Sequence, residues 1–220
     1  MATLDDDLIA DILISGASFA GLTLALALAE TFGSELRIAV LDAAPGVVRQ
    51  PDSRASALSA ASQRLLDTLG IWRQIQPEAQ PVSRIEITDS SLDSGLRPVQ
   101  MSYDNATETG DPATFIVPNS ALLAALHDAV AAHPYVRVAH GCTATGIEAG
   151  PHFATVKLAD GSTRRSRLVV AADGRKSALR DAAGIKIIGW GYGQTGIVTT
   201  VAHERPHGGI AVQHFLPAGP

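Results

Sequence analysis

The most constraining feature of this chain lies in its first 42 residues. An apolar run at residues 11–15 ends in Gly16-Ala17-Ser18-Phe19-Ala20-Gly21, which opens onto an alanine- and leucine-rich stretch at 22–29. A second apolar run follows at 36–41 and stops on Asp42. Strand, glycine turn, helix and strand within about 30 residues is the size of one βαβ unit. Its crossover is right-handed, so the two strands lie side by side in a parallel sheet. Such sheets are covered on both faces, which matches the unbroken apolar character of both runs.

The turn has a specific physics. Gly16 permits a sharp exit from the strand, and Gly21 permits close helix–strand packing. The helix N-terminus points unpaired N–H groups at an anion such as a pyrophosphate. Asp42, ending the second strand, can accept hydrogen bonds from a ribose hydroxyl. Ser18 replaces the middle glycine of the G-x-G-x-x-G pattern, which predicts a displaced dinucleotide or a hydroxyl contact. An ordinary βαβ unit with a glycine-rich turn would carry the same residues.

A Pro-, Gly-, Gln- and Asp-rich loop at 45–53 separates this unit from the next helix. Ser59 is its N-cap, Leu65, Leu66 and Leu69 form its apolar stripe, and Gly70 ends it. Arg54 lies in the loop before that helix, where packing has no use for it, and Trp72 reads as core. Residues 82–89 alternate like a half-buried strand. A short strand at 99–103 and another at 115–117 precede a helix at 120–132, closed by His133-Pro134. Strands are expected at 136–139, 143–149, 154–158 and 167–172, the last two separated by an Asp160-Gly161 turn. The run 168–172 then delivers Asp173-Gly174 into a helix capped by Ser177, again suited to phosphate or ribose. Arg175, Lys176 and Arg180 add local positive charge there. Two further alternating runs, 196–203 and 208–216, predict antiparallel strands.

Composition narrows the classes. With 46% apolar and 18% charged residues the chain is neither disordered nor a coiled coil. A net charge of −5 argues against nucleic-acid binding, which needs a clustered basic surface. A single cysteine, Cys142, and an acidic lead at residues 1–7 predict a reducing, cytoplasmic setting. His203, His207 and His214 include an H-x₃-H spacing, yet they fall across strand, loop and strand without a cysteine pair. They are read as core or solvated residues, with no metal site.

Three motifs in fixed order carry a resemblance. The glycine turn with Asp42, the segment RASALSAASQRLLDTLGIW from Arg54 to Trp72, and VVAADGRKSALR ending at Arg180 resemble class A flavoprotein monooxygenases of the para-hydroxybenzoate hydroxylase fold. The middle segment and the Tyr192-Gly-Gln-Thr-Gly-Ile197 run resemble the ubiquinone-biosynthesis hydroxylases in particular. The resemblance implies an α/β fold, with a Rossmann-like FAD-binding domain on a parallel central sheet and part of an antiparallel substrate-domain sheet. The expected FAD domain is 1–80 with 105–184, and the expected substrate sheet is 81–104 with 185–220.

It also implies roles. Gly16, Ser18, Phe19, Ala20 and Gly21 would hold the FAD pyrophosphate, and Asp42 the adenosine ribose. Arg54 and Asn119 would lie near the flavin, and Asp173 and Gly174 would serve FAD and NAD(P)H. Tyr192 and Gln194 would sit on a strand facing the substrate. The implied reaction is hydroxylation of a phenolic ring with NAD(P)H and O₂ as co-substrates, FAD carrying the redox chemistry. A polyprenylated phenol is the implied substrate, which predicts peripheral work at a membrane surface or in a biosynthetic complex. Hydroxylation of another small aromatic or a polyketide would leave the same motifs. A third reading is an inactive nucleotide- or partner-binding piece. The family's second Gly-Asp motif is absent from these 220 residues, so the resemblance implies an N-terminal part of a longer enzyme, inactive alone.

Overall fold

The computed structural model describes residues 9–46 and 52–217. The acidic lead, most of the 45–53 loop and the chain end at 218–220 lie outside the described residues. In chain order the elements begin with β1 (Ile9–Ser15), α1 (Phe19–Phe32) and β2 (Ile38–Asp42). Then come β3 (Ala55–Ser59), α2 (Ala60–Thr68), α3 (Trp72–Ile75), β4 (Gln80–Pro81), β5 (Arg84–Asp89), β6 (Val99–Asp104) and β7 (Thr114–Pro118). The series closes with α4 (Asn119–Ala132), β8 (Val136–His140), β9 (Ala144–Ala149), β10 (Ala154–Leu158), β11 (Thr163–Ala171), α5 (Ala178–Ala182) and β12 (Ile210–Phe215).

The chain divides into two compact units, residues 1–51 with 122–197 and residues 52–121 with 198–220. The first unit is built on a six-stranded sheet of order β8-β2-β1-β11-β10-β9. Strands β8, β2, β1 and β11 are parallel, as the βαβ pattern predicts, and β11-β10-β9 is an antiparallel meander. The meander follows from short turns: four residues join each pair of strands, Gly161, at φ +85°, donates to the Leu158 carbonyl at 3.1 Å, and so short a reversal joins only antiparallel strands.

Both faces of this sheet are covered, and alternation along β1 shows how. The Ile14 side chain points at Gly21 of α1. Its neighbour Leu13 lies in a buried cluster with Leu41, Ala144, Val156, Leu158 and Leu179 of α5. α1 extends three residues beyond its expected range at each end, to Phe19 and Phe32, about a buried face of Leu22, Ala25, Leu26 and Ala29. Gly33, at φ +52°, ends it.

The second unit holds two three-stranded sheets, β3-β7-β4 and β12-β5-β6. The first is antiparallel; in the second, β5–β6 is antiparallel but β12 runs parallel to β5. More than a hundred residues separate those two strands, enough for the crossover a parallel pair requires. Trp72 is buried, as expected, its ring edge-on to Phe115 at 5.0 Å. Leu65, expected in the buried stripe, is 45% exposed, while Leu66 is buried.

The run 196–203 forms no strand. Among the described residues nothing supplies a ladder for it, and alternation without a pairing partner makes no sheet. No helix among the described residues is long and apolar enough to cross a membrane.

Candidate functional site

The C-terminal ends of the parallel strands in the first unit enclose a cleft of about 380 Å³. Gly16, Ser18, Asp42, Asp173 and Gly174 all line it, together with Cys142, Thr143 and Lys176. Parallel pairing gathers them: β1, β2 and β11 end side by side, so loops distant in sequence meet at one edge.

The turn after β1 is built from backbone contacts that only glycine allows. Gly16 has φ +113°, and a Cβ there would lie 2.3 Å from the Ala172 carbonyl oxygen. Its N–H donates to the Leu41 carbonyl at 2.8 Å, and Ala172 N–H donates to Ser15 at 2.8 Å, stitching the three strand ends together. A Cβ on Gly21 would lie 1.9 Å from the Gly16 oxygen. Ser18 is different. It is the N-cap of α1 in ordinary extended backbone, φ −119°, so a side chain is tolerated where the pattern has glycine. Its hydroxyl caps no N–H, and α1 carries no acidic residue in its first turn. The N–H groups of Phe19, Ala20 and Gly21 therefore stay available to an anion.

Asp42 ends β2 with both carboxylate oxygens engaged. Oδ1 accepts from Ala44 N–H at 3.0 Å, and Oδ2 lies 3.0 Å from Nδ1 of His140 at the end of β8. Asp173 offers the opposite case. Oδ2 accepts from Leu179 N–H at 3.3 Å, whereas Oδ1 is buried without a partner among the described residues. Ser177 caps α5, accepting from Arg180 N–H at 3.0 Å, as its sequence position predicts. Burial pushes the Cys142 thiol up from its ordinary range, so it is a poor nucleophile.

Arg54 and Asn119 belong to the second unit. The Arg54 guanidinium grips Asp52 through Nε and Nη2, each at 2.8 Å, and holds that carboxyl far below its usual range. Asn119 is buried; its N–H donates to the Arg54 carbonyl at 3.0 Å and its Oδ1 accepts from the Ser56 hydroxyl at 2.7 Å. Tyr192 and Gln194 lie exposed in the segment between α5 and β12, Tyr192 beside Trp190.

His140, Cys142 and Thr143 escaped the sequence reading because no local motif marks them. Cys142 and Thr143 reach the cleft, and His140 reaches Asp42, only because β8 is the parallel neighbour of β2, which no local spacing reveals. Lys176 was visible as charge, without a partner to give it meaning.

Residues 9–218 match a protein family described as an FAD binding domain. The chain belongs to this FAD-binding family. Among its relatives, ubiquinone hydroxylase UbiL of Rhodospirillum rubrum is 42% identical over 97% of this chain and 48% of its own length. The 3-demethoxyubiquinol 3-hydroxylase of Escherichia coli is 32% identical over 96% of this chain and 53% of its own. The chain spans about half the length of the curated relatives it matches. PqsL, a probable FAD-dependent monooxygenase of Pseudomonas aeruginosa, covers 84% of the chain with a TM-score of 0.67 at 20% identity, using 48% of its own length. The p-nitrophenol 4-monooxygenase PnpA of Pseudomonas putida covers 81% with a TM-score of 0.68 at 21% identity, using 44% of its own. The FAD-binding domain thus has the fold of flavin-dependent monooxygenases.

The residues present fit the dinucleotide. The cleft opens at the N-terminus of α1, whose first turn carries no acidic residue, and it is lined by Asp173, one of whose carboxylate oxygens is buried without a donor among the described residues.

Proposed function

We propose that this chain is the FAD-binding part of a hydroxylase that acts on a phenolic ring of a polyprenylated ubiquinone precursor, with NAD(P)H and O₂ as co-substrates. The observation that supports it best is the cleft itself: glycine turn, Asp42 and Asp173 converge in a chain 42% identical to a ubiquinone hydroxylase. Bound FAD supplies the electron transfer and oxygen activation. The protein's residues bind and orient it. Gly16 and Gly21 let the turn close against the Ala172 carbonyl and against α1, and the N–H groups of Ser18, Phe19, Ala20 and Gly21 hold the pyrophosphate. Asp42 accepts from the adenosine ribose, and Asp173 with Gly174 holds a further hydroxyl of the cofactor through the unpartnered Oδ1. Arg54 and Asn119, braced by Asp52 and Ser56, serve the flavin side. Residues 81–104 and 185–220, including Tyr192 and Gln194, form part of the substrate-binding region. A prenylated substrate brings the enzyme to a membrane surface.

Two measurements test this reading. The visible spectrum of the purified chain reports FAD directly: a colourless preparation that ignores added FAD overturns the cofactor assignment. Quinone profiling of a strain deleted for the gene should reveal an accumulated under-hydroxylated precursor. An unaltered quinone profile overturns the substrate assignment.

A further inference from the structure

Asp42 is not a free carboxylate at a strand end. In the parallel register of β2 and β8 it stands beside His140, and Nδ1 meets Oδ2 at 3.0 Å while Ala44 N–H holds Oδ1. The chain after β8 is clasped to the same strand end. Cys142 N–H donates to the Asp42 carbonyl at 2.8 Å, and Gly141 N–H donates to the Ala44 carbonyl at 2.7 Å. Gly141 makes this reversal at φ +70°. Residues 142–144, just past the clasp, then form a wall of the cleft beside Leu41, Asp42 and Ala43.

This arrangement restrains the one acceptor in the cleft assigned to the ribose. An unrestrained aspartate at a strand end samples several rotamers, and each must be frozen out when a ligand binds. Here one oxygen is pinned by backbone and the other by an imidazole N–H. A carboxylate has about four acceptor sites, so two hydroxyls can still donate to the oxygens thus oriented. We propose that His140 is a positioning residue for the adenosine half of the cofactor: it fixes the Asp42 carboxylate so that the ribose hydroxyls are read at full strength. The proposal rests on the FAD reading of the cleft. A competing role is purely structural, with the pair only fastening β8 to β2.

Ligand discrimination separates the two. ADP and 2′,3′-dideoxy-ADP are titrated calorimetrically into the purified wild-type chain and into H140A, H140N and H140Q, with melting temperatures recorded alongside. Hydrogen bonds to a charged acceptor lead us to expect a preference for ADP of about tenfold or more in the wild type. In H140A and H140Q the preference should fall to about threefold or less, because the carboxylate is no longer held. H140N, whose amide N–H reaches where Nδ1 stood, should keep most of it. Affinity for the dideoxy compound should barely change. A purely structural role would weaken both nucleotides together and leave their ratio intact in H140A and H140Q, which overturns the proposal, as does a ratio that rises. A wild type that binds neither FAD nor ADP overturns the FAD reading, and this proposal with it.

Discussion

Replacing Gly21 with alanine sets two opposing effects against each other. The new Cβ would lie 1.9 Å from the Gly16 carbonyl oxygen and 3.3 Å from Cγ2 of Ile14. Cβ atoms essentially never approach other atoms closer than 3.0 Å, so more than an ångström of separation must be found. The turn cannot retreat to supply it. Gly16 is tied to Leu41 by its N–H, and the Ala172 carbonyl already closes the space on its other side. Overpacking of this kind costs about 1–3 kcal/mol, with backbone-on-backbone contact at the upper end. Alanine returns up to about 1 kcal/mol as the better helix former. The net loss is about 2 kcal/mol, or about 4–8 °C in melting temperature for a chain of this size. Moving α1 away from the turn also misdirects its free N–H groups, so FAD affinity should fall by about tenfold or more. Thermal melts followed by circular dichroism and FAD titration by fluorescence measure both quantities. Gly95 is the control, since a Cβ there meets nothing within 4 Å, and G95A should stay within about 0.5 kcal/mol of wild type. A G21A protein that melts within a degree of wild type and binds FAD equally well refutes the close-approach argument.

Two further outcomes follow from single contacts. Ser59 accepts from Ser62 N–H at 3.2 Å as the N-cap of α2, so S59A should lose about 1 kcal/mol and melt about 2–4 °C lower. The Arg37 backbone N–H, and to a lesser degree its guanidinium, outweighs partial burial and holds the Asp11 carboxyl below its ordinary 3.8. A depressed carboxylate stabilises the fold fully above that ordinary value and ceases to do so as pH falls through the depressed one. Urea midpoints should therefore show D11N less stable than wild type at pH 7, with the gap narrowing below pH 3.8. A gap of constant size across that range refutes the linkage.

Legibility in the sequence followed the range of the interaction concerned. The β1–α1–β2 unit was readable because turn, helix and strand each declare themselves locally, and so were the caps at Ser59 and Ser177. Burial of Trp72 was readable from its size and apolar flank. The strand at 55–59 was missed, since it lies in a segment read as loop and helix lead-in, and pairs with β7 some sixty residues away. The expected strand at 196–203 failed for the converse reason, having the alternation without the partner. Leu65 shows the limit of a helical stripe: α2 has only nine residues, and of the three stripe leucines only Leu66 is fully buried.

What the amino-acid sequence alone determined is the glycine turn that opens onto a helix N-terminus, because glycine's missing side chain and the helix's unpaired N–H groups are properties of a dozen consecutive residues. Only the tertiary structure decided what surrounds that turn. Parallel pairing of β8 with β2 brought His140 to Asp42, and pairing of β11 with β1 brought Asp173 to Gly16 and left one of its oxygens buried without a donor among the described residues. Strand order is set by burial of whole faces rather than by any local pattern, so neighbours across a sheet are written nowhere in the spacing of the residues that meet there.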